Sequence, residues 1–149
     1  MNRSVFGKIG VLSGGISSER EISLRSGGAV HNALIARGYD AILIDVKGDY
    51  EKQLRTLDID MAFIALHGVF GEDGGVQRIL NSLGIPYTGS CPDPSALALD
   101  KSASKKVFMD RGIPTPRFIT VQGSADASIL GPGFTVPVVV KPSREGSSI

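Results

Sequence analysis

The chain has 149 residues, 42% of them hydrophobic and 21% charged, with a net charge of +1. That composition suits one folded domain of ordinary size, and the near-zero charge gives no basic field to recruit nucleic acid or an anionic membrane. A single cysteine, Cys91, excludes an internal disulfide, no apolar run approaches the length of a membrane span, and "MNRSVFGK" lacks the apolar core of a signal peptide, so a reducing cytoplasm is the expected setting.

In chain order, "KIGVL" (Lys8 to Leu12) is the first predicted strand, ended by Ser13, Gly14 and Gly15. A helix follows to about Arg37, with Ile22, Ala29, Val30, Ala33 and Leu34 as its apolar stripe. Ser18 and Glu21 have the spacing of a capping box, and Gly38 stands where a left-handed cap ends a helix. "DAILIDV" is the second strand, "DYEKQLRTL" a short exposed helix and "DMAFIAL" the third strand. "HGVFGEDGG" leads into the helix "VQRILNSL", ended by Gly84, and "IPYTG" is a short fourth strand. Alternating strands and helices with long connections predict a parallel sheet covered on both faces, an α/β fold.

Composition then shifts, since all eight prolines lie at or beyond Pro86. The stretch from Ser90 reads as a linker, then a helix from about Lys101 to Arg111 capped by Gly112. Strands "RFITV" and "TVPVVVK" follow, with a weak segment, "SADASIL", between them. The expected organisation is a first module over 1–94 and the opening of a second over 95–149. A chain of this size, if compact, buries roughly 68–70% of its unfolded surface.

Ligands of parallel α/β folds sit beyond the carboxyl ends of the strands, which directs attention to "SGGISSERE" and "HGVFGEDGG". The first lacks both the G-x-G-x-x-G and the G-x-x-x-x-G-K-[ST] phosphate fingerprints. Glu19, at the start of the helix, would repel a phosphate and suits an ammonium group. Alternatively it only complements the helix dipole, worth about 0.3–1 kcal/mol. In the second loop, His67, Glu72 and Asp73 fit no standard zinc spacing. Glu72 and Asp73 are expected to cap the following helix, while His67 faces the crevice, where it can orient a ligand or Glu19. In "VVVKPSREGSSI", Lys141 can reach a phosphate as a point charge, and Ser147 and Ser148 can offer hydroxyls and N–H groups to anionic oxygens. A solvated strand end is the plainer alternative, as a surface role is for Lys101.

"GGISSEREIS", "ALHGVFGEDG", "PYTGS", "ALALDKSASK" and "VVVKPSREGSS" together resemble the D-alanine–D-alanine ligases, which are ATP-grasp enzymes. The resemblance runs from about Lys8 to the last residue. It implies a Rossmann-like, pre-ATP-grasp N-terminal domain followed by the beginning of an ATP-grasp domain. It also implies ATP-dependent ligation of two D-alanines through an acylphosphate, for peptidoglycan precursor synthesis. On this resemblance Glu19 holds the ammonium of the first D-alanine beside His67, with Ser147 oriented against Glu19 as part of the catalytic cluster. Lys101 and Lys141 contact the ATP phosphates, and Ser148 lines the phosphate loop. The magnesium ligands belong to the family's C-terminal half, and homodimers are its usual state. Pro94, Leu99, Cys91 and Pro92 depart from the family pattern at hinge positions. The expectation is therefore an N-terminal half, inactive alone, or else a D-amino-acid-binding fragment without ATP chemistry. A nicotinamide oxidoreductase, suggested by Asp45 near the end of the second strand, is disfavoured by the missing glycine fingerprint.

Overall fold

The structure, a computed structural model, describes residues 5–124, 127–135 and 137–146. Three parallel strands, β1 (Ile9–Gly14), β2 (Ala41–Val46) and β3 (Met61–Ile64), form one sheet in the order β2-β1-β3. The register runs from Ile9 opposite Ala41 to Gly14 opposite Val46, and from Ile9 opposite Met61 to Leu12 opposite Ile64. Because β1 is central and its neighbours lie to either side, the connections part at the carboxyl ends of β1 and β3. A ligand crevice opens at such a switch point.

Strand alternation sorts side chains to two faces. Leu12, Ile44, Val46 and Ala62 point to the face covered by α2 (Tyr50–Arg55) and α3 (Gly75–Ser82), whose Leu54, Val76 and Leu80 are fully buried against them. Asp49 caps α2 by accepting from Lys52 N at 3.1 Å. Gly38 and Gly84 both adopt the left-handed conformation predicted for helix-ending glycines.

The opposite face carries α1 (Arg20–Ala36), and here the apolar stripe read from the sequence is corrected. The residues α1 buries are Ser23 and Gly27, whereas Ile22, Ala29 and Ala33 are exposed. The helix lies too close to β1 for a large side chain, since a methyl at Gly27 would clash with Ser13 Cβ. The capping box also does not form: Glu19 is the N-cap residue, and its N–H donates to Ser17 Oγ at 3.2 Å.

The predicted fourth strand is reduced to one parallel bridge between Ala62 and Tyr87. Pro86, which has no N–H, gives its carbonyl to Ala62 N at 2.9 Å, and Thr88 Oγ1 accepts from Ile64 N at 3.1 Å where the next ladder bond would fall. The stretch read as a linker contains a helix, α4 (Pro92–Leu99), that crosses the expected 94/95 boundary. Its prolines sit in the first turn, where a missing N–H loses no helical hydrogen bond. Helix α5 (Lys101–Asp110) follows as expected, N-capped by Asp100 and ended by Gly112 at φ 67°.

Among the described residues neither "RFITV" nor "TVPVVVK" forms a strand. A strand needs a pairing partner, and among the described residues these segments have none: Val139 and Val140 are 80% and 91% exposed. Among the described residues after Gly112, a 3-10 turn at Ala127–Ile129 alone interrupts the irregular stretch. The solvent-accessible surface is 9864 Å², where a compact chain of this mass exposes roughly 7,300 Å². The expected burial is thus not reached. No helix among the described residues is long and apolar enough to cross a membrane.

Adjacent glycines of α1 should respond with opposite signs. Gly27→Ala forces a methyl against Ser13, costing about 1–3 kcal/mol as overpacking does. Gly28→Ala meets nothing within 4 Å and should gain about 0.5–1 kcal/mol from helix propensity. Urea unfolding of the two variants decides both.

Candidate functional site

The site begins where β1 and β3 part. Ser23 Oγ accepts from Gly14 N at 2.9 Å and donates to Ala65 O at 2.7 Å, pinning the first turn of α1 between the two strand ends. One turn earlier stands Glu19, whose carbonyl accepts from Ser23 N at 3.0 Å. Ser17 Oγ, which accepts from Glu19 N, donates to His67 O at 2.7 Å, so the two loops meet across the crevice.

The approach is close. A methyl at Gly68 would lie 2.7 Å from Glu19 Oε2, and Gly68 has φ 67°, so the position needs glycine on both counts. The His67 ring spans two partners, with Nε2 3.0 Å from Ser26 Oγ and Nδ1 3.7 Å from Glu72 Oε1. Glu72 Oε2 accepts from Gly68 N at 2.8 Å. The expectation that Glu72 caps α3 is therefore corrected. Asp73 alone serves the entry to that helix, accepting from Phe70 N at 2.9 Å and Gly75 N at 2.8 Å.

Arg20, next to Glu19 in sequence, is drawn away from the crevice. Its Nη2 donates to Asp45 Oδ2 at 2.8 Å and its Nη1 to Gly15 O at 3.3 Å. That hydrogen bond from Arg20 holds the Asp45 carboxyl below its ordinary pKa, and the same bond raises Arg20. Asp45 is thereby occupied with Arg20 and, at 3.5 Å, Lys47.

The other side of the site is the start of α5. Asp100 Oδ1 accepts from Ser102 N and Ala103 N, each at 3.0 Å, and Oδ2 accepts from Arg144 Nε at 2.9 Å. Lys101 Nζ donates to Glu145 O at 2.5 Å. Two residues beyond Arg144, Gly146 reaches the crevice: a methyl there would lie 3.1 Å from Glu19 Oε2 and 3.2 Å from Glu72 Oε2.

Of the residues singled out from the sequence, Glu19 and His67 thus flank one crevice, and Lys101 joins it through the segment ending at Gly146. Lys141 is exposed and makes no ion pair among the described residues. Ser147 and Ser148 lie outside the described residues. Sequence reasoning missed Ser17, Ser23, Ser26 and Arg144. Two of these four were accessible to it in part, because Ser23 and Ser26 follow Glu19 at helical spacing and so share its face. Among the described residues no three of His, Cys, Asp and Glu cluster closely enough to hold a metal ion.

Asp100 supplies a pH test. The backbone N–H of Ala103 first, then Arg144, lower its carboxyl from 3.8 to about 2. A carboxyl depressed on folding stabilises the fold fully above its unfolded value and loses that contribution as pH falls through the folded value. The gap in urea midpoint between the wild type and Asp100→Ala should therefore be constant above about pH 4 and close as pH falls towards about 2.

Known proteins share this architecture. Residues 48–90 match the family model described as D-ala D-ala ligase N-terminus. The chain is 53% identical over 142 residues to a D-alanine--D-alanine ligase of Geobacter sulfurreducens, covering 95% of the chain and 45% of that relative. A crystal structure of D-alanine--D-alanine ligase from Bacillus anthracis superposes with a TM-score of 0.82 at 40% identity, over 95% of this chain and 47% of that one. The same enzyme complexed with ATP gives 0.68 at 41% identity, over 80% of this chain and 41% of that one. The chain spans about half the length of the relatives it matches.

Proposed function

Because the chain belongs to the D-alanine–D-alanine ligase family and corresponds to its N-terminal half, we propose that it carries the first-substrate crevice of an ATP-dependent ligase joining two D-alanines. The observation that carries this reading is the crevice between β1 and β3, where Glu19 lies against the backbone that follows His67. In this reading Glu19 takes the ammonium group of the first D-alanine, a charge-assisted hydrogen bond worth about 1.5–3 kcal/mol. His67, steadied by Ser26 and Glu72, lines the same pocket. Ser147, outside the described residues, belongs to the same cluster in this reading.

The reaction divides between two ends of the crevice. A carboxylate oxygen of the first D-alanine attacks the γ-phosphorus of ATP and ADP leaves, giving an acylphosphate. The amine of the second D-alanine attacks that carbonyl, loses a proton, and phosphate departs. In this reading Lys101 and Lys141 offset the charge of the phosphates and Ser148 hydrogen-bonds them, while the crevice holds the acceptor in line, the two means by which such transfers are accelerated. For Lys101 this requires Nζ to leave Glu145 O, its present partner. The described residues offer no magnesium site, and in this reading the magnesium ligands belong to the family's C-terminal half. D-alanine and ATP are then the small-molecule partners, a second copy of the chain the protein partner, and the cytoplasm, where cell-wall precursors are assembled, the compartment.

Titrating the 149-residue chain with D-alanine, while following the amide resonances of Gly68 and Gly146, tests the crevice. Saturable shifts at both glycines are expected, with Glu19→Gln weakening binding at least about tenfold, the loss of one charge-assisted bond. Equal binding by wild type and variant, or no shift at Gly68, would overturn the assignment of Glu19.

A further inference from the structure

Ser143, Arg144, Glu145 and Gly146 run from the start of α5 to the crevice, and each meets a different group on the way. Ser143 O accepts from Lys101 N at 2.9 Å, and its hydroxyl lies 3.3 Å from both Asp100 Oδ1 and Ser102 Oγ. Arg144 Nε donates to Asp100 Oδ2 at 2.9 Å, and Glu145 O accepts from Lys101 Nζ. Gly146 then packs its backbone against the carboxylates of Glu19 and Glu72.

We infer that Asp100 is a positioning residue for the crevice, because through Ser143 and Arg144 it sets where Gly146 meets Glu19 and Glu72. Both carboxylate oxygens are committed, Oδ1 to the α5 N-terminus and to Ser143, Oδ2 to Arg144. The Asp100 side chain is only 18% exposed, so its geometry is fixed by the helix it caps. Two residues of chain reach at most about 7 Å, so an anchor at Arg144 leaves Gly146 little freedom. The Arg144 side chain is 80% exposed, and a surface ion pair of that kind contributes little to global stability. What it does is hold a four-residue strap in register, as supporting hydrogen bonds hold a binding constellation to a fraction of an ångström. The strap joins the nucleotide side of the proposed ligase, at Lys101, to its amino-acid side, at Glu19. The inference rests on the reading of the crevice as the amino-acid site.

The variant of choice is Arg144→Gln, which removes the pair from an exposed position and leaves the sheet and its core untouched. Three quantities are read in the 149-residue chain: amide hydrogen exchange at 143–146, the carboxyl 13C shift of Glu19, and the D-alanine dissociation constant. Expected are exchange about tenfold faster at 143–146, a displaced Glu19 signal, D-alanine binding weakened at least threefold, and recovery of all three in Arg144→Lys. Faster exchange with Glu19 and D-alanine binding unmoved would overturn the inference, as would unchanged exchange. If the wild type itself fails to bind D-alanine, the proposed substrate falls. The strap is then judged on exchange and the Glu19 signal alone, and stands only if both move.

Discussion

One buried hydroxyl holds the crevice together. β1 and β3 pair as far as Leu12 and Ile64, Ala65 N still donates to Leu12 O at 2.9 Å, and beyond that the strands diverge. Divergence leaves Gly14 N and Ala65 O facing each other across a gap. Ser23 Oγ fills it, accepting from one and donating to the other. Either group left unsatisfied in that position costs about 1–3 kcal/mol. Because Ser23 belongs to α1, the same atom fixes how the helix starts, and with it the position of Glu19 one turn before. The flat contact through Gly27 completes the seat, letting α1 lie directly on Ser13.

A second constraint decides the sign of the crevice. Glu19 and Arg20 are adjacent, and an Arg20 side chain folded inward would cancel the carboxylate. Asp45 prevents this by holding the guanidinium on the β2 side at 2.8 Å. Gly14 makes the pairing possible, since a side chain there would occupy the space of Asp45 Oδ1 and Arg20 Nη1. An acid at the end of the second strand of a parallel sheet can also bind a ribose hydroxyl; here Oδ2 is held by Arg20 and Lys47, while Oδ1 is buried without a hydrogen-bond partner among the described residues. The missing glycine fingerprint is what speaks against a dinucleotide.

The sheet was legible because its signals are local: β-branched runs ended by glycine, helices ended by Gly38, Gly84 and Gly112, and connections too long for hairpins. The failures have a common physical source, the neighbour that a sequence does not display. The face of α1 was misread because depth of burial there is set by β1 approaching too closely for anything larger than serine. Helix α4 lies in a stretch whose composition reads as a linker, though proline in a first turn breaks nothing. "RFITV" and "TVPVVVK" have strand propensity without a strand beside them, and propensity alone does not order an edge. In the site, the placement of Glu19 and His67 at one crevice could be argued from loop position. The part played by Glu72 could not, because it depends on the left-handed turn at Gly68 that offers the backbone N–H of that residue to the carboxylate.

The two ends of the site carry opposite charge, and that sorts the two ends of a zwitterion. At the crevice, Glu19 and Glu72 both lie within reach of one small group beside Gly146. A unit charge about 4 Å from a carboxylate interacts by about 1 kcal/mol in water and about 4 kcal/mol at the effective dielectric of a protein surface. An anion entering there meets that as repulsion, a cation as attraction, and the preference between them is twice the figure. At the start of α5 Lys101 supplies the cation, while the helix N-terminus itself is capped by Asp100, whose charge Arg144 offsets. On the proposed reading, an amino acid bound between them is oriented before any contact with its side chain, ammonium towards Glu19 and carboxylate towards Lys101. That is the orientation a carboxylate needs if it is to be the group that reacts with a phosphate held by lysine.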